Sequence, residues 1–188
     1  MIEREKKYVV TSEKAAELKK VAVARKGIAQ WYIKDFSKLA AKFGVENTSE
    51  CRLRFIFSKG KEKWVLTFKS KPTGYERQEH EFDIENPLEI LAFITPESTV
   101  VAKTRYILMK ESNAEIELDE YIQLDVGYKV DFLVEVETTS DFKEFEEMFG
   151  LDGAVATEMY EKFSNKNIAI RSNLPMEVII EKVKNAVK

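Results

Sequence analysis

The first ten residues carry charged side chains on both faces of a segment that is otherwise typical of a β-strand. Side chains on a strand alternate between its two faces, so Glu3, Glu5 and Lys7 point one way while Arg4 and Lys6 point the other. An ordinary apolar core cannot accommodate a face of Glu, Glu and Lys, because unpaired charge is costly to bury. That face must therefore look into bulk water or line a wet, charged cavity.

The same alternation recurs along the chain and predicts about eight strands, the second over 28–33. In one segment, for example, Leu53 and Phe55 share a face while Arg52 and Arg54 share the other. Most of these segments have an opposite face that is apolar enough to pack beneath helices. The charges that recur on one face are Arg52, Arg54, Lys69, Arg77, Glu79, Glu81, Lys103, Arg105, Glu115, Glu117, Asp119, Glu135 and Glu137.

These two kinds of face predict an α+β fold: an eight-stranded antiparallel β-barrel with a polar, charged interior and helices packed outside. A single charged pair on one strand is explained more simply as a solvated face or a cross-strand salt bridge. Several same-sign pairs on regular strands are not explained in that way. They favour a cavity that binds a highly charged ligand.

The helical segments lie between the strands, and we expect one domain over 1–188, since no repeat, low-complexity segment or linker interrupts the chain. Ser12 and Ser140 are typical N-cap residues, and Gly27 is a typical helix stop. The predicted helices cover 12–24, a segment from Pro87 to Ile94, 140–148, a short helix within 35–49, and an amphipathic C-terminal helix at about 175–187.

Composition excludes several classes of function. The 30 basic and 33 acidic residues give a net charge of −3, which argues against a general nucleic-acid binder. One cysteine, Cys51, and one histidine, His80, exclude zinc fingers and Cys/His nucleophiles. No apolar run approaches the roughly 20 residues of a membrane helix, and the N-terminus lacks a signal-peptide layout. We therefore expect a cytoplasmic protein, a monomer or homodimer, with no nucleic-acid or membrane partner.

The two sets of charges suit a polyphosphate. Guanidinium groups bind phosphate oxygens in bidentate fashion, and lysines add point charges. Carboxylates two residues apart on one strand face, with Cβ atoms roughly 7 Å apart, provide the oxygen ligands that Mg²⁺ prefers together with substrate phosphates. A cavity that holds both sets is suited to phosphoryl transfer, which depends on positioning and charge stabilisation.

The charged motifs also resemble, in their order, those of the CYTH superfamily, the triphosphate tunnel metalloenzymes. The similarity covers about residues 1–170. The matching motifs are Glu3-x-Glu5-x-Lys7, Arg52-x-Arg54, Leu66-Thr67-Phe68-Lys69, Arg77-x-Glu79-x-Glu81, Lys103-Thr104-Arg105-Tyr106, Glu117-Leu118-Asp119, Val134-Glu135-Val136-Glu137 and a closing segment from Thr157 to Ala169. The first motif alone is weak, and the full ordered set is specific.

The resemblance implies an eight-stranded tunnel that acts on a small-molecule triphosphate with Mg²⁺ or Mn²⁺, through a two-metal site. The residues that it implies for phosphate binding are Lys7, Arg52, Arg54, Lys69, Arg77, Lys103 and Arg105. The implied metal ligands are Glu3, Glu5, Glu117, Asp119, Glu135 and Glu137, with Glu79 and Glu81 as further ligands or as partners of the arginines.

The Gln30-Trp31-Tyr32 segment resembles the Gln-Gly-Tyr of small bacterial inorganic triphosphatases. By that resemblance Tyr32 and Lys7 form a catalytic pair that orients or activates water. The alternative for Tyr32 is a strand aromatic with its hydroxyl at the rim. Trp31 stands where the family has glycine, and we expect it to reshape the entrance. The 35–49 insertion is expected to form a cap or an interface.

Three functions remain open. The first choice is metal-dependent hydrolysis of a linear triphosphate, either inorganic tripolyphosphate or a small organic one. The second is class IV-type adenylate cyclisation, which uses the same phosphate contacts; thiamine triphosphatases are further relatives. The third is a non-catalytic polyphosphate-binding module, against which the intact set of acids argues.

Overall fold

The computed structural model describes residues 5–71, 78–151, 154 and 163–188, and its main element is one eight-stranded sheet. The strands are β1 (Glu5–Val9), β2 (Ala24–Tyr32), β3 (Thr48–Ser58), β4 (Lys61–Ser70), β5 (Glu79–Ile84), β6 (Thr99–Lys110), β7 (Ala114–Tyr121) and β8 (Phe132–Thr138). They lie in the order β1-β8-β7-β6-β2-β3-β4-β5, and every neighbouring pair is antiparallel.

The sheet curls around a cavity. β1 and β5 stand at the two ends of the strand order, yet Glu5 on β1 and Lys69 on β4 line the same cavity. Within the described residues no ladder of hydrogen bonds joins β1 to β5. The predicted eight-stranded antiparallel architecture with a charged interior is confirmed, and the pairing of the two end strands is the one part of a full barrel that is not observed.

Most of the helices cover the outer, apolar face of the sheet, as predicted. The described helices are α1 (Ser12–Val21), α2 (Ser37–Lys42), α3 (Leu88–Leu91), α4 (Phe142–Phe149), α5 (Asn165–Ile168) and α6 (Met176–Asn185). α5 is the exception, since Asn165 at its start lines the cavity. α1 and α4 pack on outward side chains of β1, β7 and β8, and α2 and α3 pack on β3, β4 and β5. The 35–49 insertion is therefore a cap over the outer face of the sheet. Within the described ranges, no helix is long and apolar enough to cross a membrane.

Two helix starts differ by one residue from the prediction. Thr11, not Ser12, caps α1, because its Oγ1 accepts a hydrogen bond of 3.3 Å from the Lys14 backbone N–H. Asp141, not Ser140, caps α4, because its Oδ1 accepts a hydrogen bond of 3.1 Å from the Lys143 backbone N–H, while the Ser140 hydroxyl oxygen accepts one from Asn113. Both true cap residues have extended backbone, which a residue at this position needs.

The predicted helix stop at Gly27 is wrong, because Gly27 lies within β2 and serves the packing of α6. A Cβ atom at Gly27 would lie 2.6 Å from the Val183 carbonyl oxygen and 2.7 Å from its Cγ1. Hydrogen at this position therefore lets α6 approach β2 closely. Ile179 and Val183 of α6 are buried against Ala29 and Phe55 in that contact. The C-terminal helix thus fixes the strand that carries Gln30 and Tyr32 on its other face.

We predict that Gly27→Ala destabilises the protein by about 1–3 kcal/mol, the usual effect of overpacking a well-packed contact. The added methyl group must displace the α6 backbone rather than a flexible side-chain end. Thermal unfolding followed by circular dichroism measures the change. Gly127→Ala is the matched control, since a Cβ there meets only Gln123 Oε1, at 3.4 Å. An unchanged melting temperature for Gly27→Ala would contradict the proposed close contact.

Candidate functional site

The curled sheet encloses a cavity of about 260 Å³. Of the 22 described residues that line it, nine are basic and eight are acidic. They come from all eight strands and from the start of α5: Glu5, Lys7, Lys26, Ile28, Gln30, Tyr32, Glu50, Arg52, Arg54, Lys69, Glu79, Glu81, Lys103, Arg105, Lys110, Glu115, Glu117, Glu135, Glu137, Ser164, Asn165 and Lys166.

The structure brings nearly all of the sequence-predicted site residues together. Thirteen of them line the cavity: Glu5, Lys7, Tyr32, Arg52, Arg54, Lys69, Glu79, Glu81, Lys103, Arg105, Glu117, Glu135 and Glu137. Asp119 is fully buried behind this lining and contacts Lys103 and Arg105. Glu3 and Arg77 lie outside the described residues. The shared position is observed, whereas the individual roles stay predictions.

Arg105 is the centre of one ion-pair network. Its Nε lies 2.7 Å from Asp119 Oδ1, its Nη2 lies 2.8 Å from Glu135 Oε2, and its Nη1 contacts Glu117. Burial opposes the charge of Arg105, but the carboxylates of Asp119, Glu117 and Glu135 hold its pKa well above the usual value. Arg105 therefore stays charged and ties β6 to β7 and β8.

Lys7 lies between two carboxylates, one of which, Glu135, also contacts Arg105. Its Nζ contacts Glu5 and lies 3.2 Å from Glu135 Oε2. Although burial opposes it, the negative charges of Glu135 and Glu5 raise the pKa of Lys7 well above its usual value. Burial and the charge of Glu135 in turn raise the pKa of Glu5. Lys7 is thus a fixed cation at neutral pH.

Glu79 organises a second network on the opposite part of the sheet. Its Oε1 accepts a hydrogen bond of 3.0 Å from Arg52 Nη2, and its Oε2 lies 2.6 Å from Lys69 Nζ. Burial would raise the pKa of Glu79, but the charges of Arg52 and Lys69 outweigh it and lower the pKa to about 2. This favours the predicted alternative in which Glu79 orients an arginine.

Two buried arginine nitrogens lack an acceptor. Nε of Arg52 and Nε of Arg54 are buried and donate to no acceptor in the described part of the chain. Among the described carboxylates, Arg54 pairs with Glu81 alone, at 3.5 Å, and Glu81 is nearly half exposed. Burial and the neighbouring charge of Arg52 lower the pKa of Arg54 to about 10. A guanidinium held in this way is prepared to bind an anion.

The acids of β1, β7 and β8 face each other across the strands. Glu117 is directly opposite Glu135, and Glu137 lies between Glu115 and Glu5. Like charges in such positions destabilise a sheet unless a cation compensates them. Burial raises the pKa of Glu117. Its Oε1 is buried, accepts no hydrogen bond from the described residues and lies 3.3 Å from Lys26 Nζ.

Oxygen ligands of this kind fit a hard divalent cation. In the arrangement described here, no three Asp, Glu, His or Cys side chains of the described residues already converge as ligands of one ion. Arg105 and Lys7 lie among the acids and bind them instead. The residues therefore fit a metal by their chemistry, and the two-metal site stays a prediction.

Tyr32 is buried at the cavity wall. Its hydroxyl oxygen accepts a hydrogen bond of 2.8 Å from Gln30 Nε2. Burial raises the pKa of Tyr32 above its usual value, against the positive charges of Arg52 and Lys7. Lys7 itself contacts Glu5 and Glu135. The hydroxyl lies in the cavity and not at its rim, and the catalytic pairing with Lys7 stays a prediction.

Trp31 does not reshape the entrance, contrary to the expectation from sequence. It follows Gln30 on β2 and so points to the opposite, outer face, where it stacks on Trp64 with ring centroids 6.1 Å apart. The alternation of the strand that places Gln30 and Tyr32 inward requires this orientation.

Sequence reasoning missed Gln30 and Asn165 as cavity residues because neither carries a repeated charge pattern. Gln30 stands within a motif, and Asn165 stands within the closing segment. Tyr121 lies directly across from Lys103 on β7 and donates a hydrogen bond of 3.2 Å to Asn165. For Tyr121, the period-two spacing after Glu117 and Asp119 was a signal that could have identified it.

Comparison with solved structures supports the fold. The PH1819 protein from Pyrococcus horikoshii OT3 is 22% identical, with a TM-score of 0.50 over 96% of this chain and 99% of that chain. A conserved hypothetical protein from Pyrococcus furiosus is 18% identical, with a TM-score of 0.54 over 80% and 92%. HpAC1 from Hippeastrum, described as a candidate adenylyl cyclase with a dominant triphosphatase activity, is 17% identical, with a TM-score of 0.51 over 96% and 95%.

At these identities the likeness shows the fold alone. No protein-family model matches the chain, and no curated protein matches it in sequence. The comparisons therefore confirm, at the level of the fold, the resemblance carried by the strand motifs.

We predict that Arg54→Met raises the melting temperature of the ligand-free protein at pH 7, by about 2–4 °C for each kcal/mol gained. The folded state disfavours the Arg54 charge, since it lowers the pKa from 12.5 to about 10, and this penalty is fully present below pH 10. Differential scanning calorimetry in phosphate-free buffer measures the gain. Arg25→Met, at an exposed position, is the control and should not raise the melting temperature. A lower melting temperature for Arg54→Met would contradict the conclusion that the charge of Arg54 is uncompensated in the folded protein.

We predict that Glu79→Gln destabilises the protein at neutral pH by about 1–3 kcal/mol, since it leaves Arg52 and Lys69 without their shared carboxylate. A carboxylate whose pKa is lowered in the folded state stabilises the fold at pH values above its unfolded-state pKa. This stabilisation is lost as the pH falls through its folded-state pKa. The difference from wild type should therefore shrink between pH 4.5 and about 2. Urea titrations at several pH values test it, with Asp83→Asn as a near-neutral control, since Asp83 is exposed and pairs with exposed Lys63 at 2.7 Å. A pH-independent difference would contradict the ionic origin.

Proposed function

We propose that this protein hydrolyses a linear triphosphate, either inorganic tripolyphosphate or a small organic triphosphate, with Mg²⁺ or Mn²⁺. The observation that carries the proposal is the pair of buried arginines whose Nε groups have no acceptor in the described chain, inside a cavity lined by cations. Buried donors are normally satisfied, so these two point to an anionic ligand with several oxygens.

The size and lining of the cavity favour a compact substrate. Its volume of about 260 Å³ lies below the ~300–1,000 Å³ that is common for drug-sized ligands. Among the described lining residues, only Ile28 and Tyr32 offer apolar surface, so a nucleobase would find little to stack on. This supports a triphosphate chain with little or no organic group attached.

Two parts of the cavity suit the two components of a metal–triphosphate complex. Arg52, Arg54 and Lys69 lie on β3 and β4, where phosphate oxygens would bind. The acids that would hold the metal are Glu5, Glu117, Asp119, Glu135 and Glu137. When bound, Mg²⁺ or Mn²⁺ would neutralise charge on the phosphate oxygens and help to orient the chain.

The protein's own residues hold the substrate and stabilise the charge that develops in the reaction. Water attacks a terminal phosphorus and the bridging P–O bond breaks, while a proton of the water passes to solvent or phosphate oxygen. Orthophosphate leaves together with pyrophosphate, or with the organic diphosphate if the substrate is organic. Cations that are already in place inside a low-dielectric cavity favour this step without reorganisation. Because its pKa is raised, Lys7 acts as a fixed charge and not as a base. Tyr32, held by Gln30, orients the water or a phosphate oxygen.

One structural neighbour supports hydrolysis over cyclisation. The Hippeastrum protein shares the fold and is described by its dominant triphosphatase activity. Adenylate cyclisation would use the same phosphate contacts but would also need room for a nucleoside.

The direct test measures phosphate release and cyclic AMP formation side by side, with tripolyphosphate, thiamine triphosphate and ATP. We expect phosphate release from tripolyphosphate in the presence of Mg²⁺ or Mn²⁺, and its loss when EDTA is added. Cyclic AMP as the main product would establish the cyclase instead. Binding of tripolyphosphate without turnover of any of the three substrates would establish a binding module.

We predict that the double variant Glu135→Gln/Glu137→Gln lowers turnover by about a hundredfold or more, the range found when a transition-state electrostatic contact is removed. It should also abolish any rise in melting temperature that Mn²⁺ brings to the wild type, which tests the metal assignment without activity. Glu120→Gln is the control, since Glu120 pairs with Lys19 at 2.7 Å on the outer side of β7. Full turnover in the double variant would overturn the metal assignment.

A further inference from the structure

Asn165 joins two buried side chains of neighbouring strands at the cavity wall. Its Oδ1 accepts a hydrogen bond of 3.2 Å from Lys103 Nζ and another of 3.2 Å from the Tyr121 hydroxyl. Lys103 is 1% exposed, Tyr121 5% and Asn165 8%. The three groups therefore form a closed, dry cluster against the charged cavity, and only Lys103 belongs to a charged motif.

The fold places Asn165 there from a distant part of the chain. Asn165 begins α5, whose start is capped by Ser164 Oγ, which accepts a hydrogen bond of 3.3 Å from the Asn167 backbone N–H. The next residues are anchored by buried Ile168 and by a bridge between Ile170 and Val100 on β6. Since β6 also carries Lys103, this bridge fixes Asn165 relative to the ammonium group that it contacts.

A neutral acceptor at this point keeps the charge of Lys103 available to a ligand. Lys103 Nζ lies 2.5 Å from Asp119 Oδ2, but Arg105 Nη2 shares that oxygen at 2.8 Å. A carboxylate in place of the Asn165 amide would give the ammonium a second anion and weaken its attraction for phosphate.

We propose that Asn165 and Tyr121 are positioning residues that hold the Lys103 ammonium toward the phosphate chain without neutralising it. Tyr121 fixes the amide of Asn165, and Asn165 fixes Lys103. The inference rests on the proposed triphosphate substrate and adds two residues to that site. It explains why an amide, and not one more acid, stands beside a buried lysine in a cavity where most other polar groups are charged.

The test compares Asn165→Asp with Asn165→Ala and Tyr121→Phe. Binding of inorganic triphosphate with Mg²⁺ is measured by calorimetry, and KM and kcat are measured separately. We expect each variant to weaken triphosphate binding about tenfold, the effect of losing or offsetting one hydrogen bond to a charged group. Asn165→Asp should lose at least as much affinity as Asn165→Ala, although Asp keeps the acceptor oxygen.

Stability separates positioning from a purely structural role. Asn165→Asp should keep or raise the melting temperature of the ligand-free protein, because the new carboxylate pairs with Lys103, while its triphosphate affinity falls. If Asn165 only supports packing, Asp should instead be the milder substitution in both measurements. Asn167→Ala on the exposed side of α5 and Tyr106→Phe, whose hydroxyl contacts Glu120 at 3.0 Å outside the cavity, are the controls.

Wild-type affinity in Asn165→Asp would overturn the inference and leave the proposed function intact, provided that the wild type binds and hydrolyses triphosphate. A loss of melting temperature in Asn165→Ala with unchanged affinity would overturn it in the same way. A wild-type protein that neither binds nor hydrolyses triphosphate would overturn both the inference and the proposed function.

Discussion

The structure depends on burying many charges within one curled sheet. Taking ions out of water is expensive, and ion pairs compensate only when their geometry is good and the remaining donors are satisfied. The Arg105 network meets this condition. Arg52 and Arg54 do not meet it fully, since their Nε groups have no acceptor in the described residues. The charged interior therefore lowers the stability of the empty protein, and a ligand of opposite charge would restore that stability.

The outer face of the same strands provides the stability that the interior lacks. Ordinary small barrels pack apolar side chains inside, whereas here Leu53, Phe55 and Phe68 point outward beneath helices. This explains why short helices cover the sheet on several sides and why α6 approaches Gly27 so closely. An inner face with few apolar contacts needs an outer layer that holds each strand in register.

The strands and most of the cavity could be predicted from the sequence because both follow period two. Arg52 and Arg54, or Glu135 and Glu137, show their shared face within three residues. Asn165 could not be predicted in the same way, since it meets Lys103 only after 62 residues of chain. The start of α4 differs from the prediction by one residue because Ser140 and Asp141 are both good caps, and the sequence alone does not decide between them.

The arrangement of like charges is the strongest argument that the interior serves a ligand. A sheet selected for stability alone would place opposite charges across neighbouring strands, where each such pair adds roughly 0.2–1 kcal/mol. Here Glu117 faces Glu135, and Glu115 faces Glu137, while Arg52 and Arg54 share a face on β3. These four acids gather on one part of the wall, with Lys7 and Arg105 among them, whereas Arg52 and Arg54 lie beside Glu79 and Glu81 on another. The like-charge positions weaken the empty fold, and a polyanion with its own cations would compensate them.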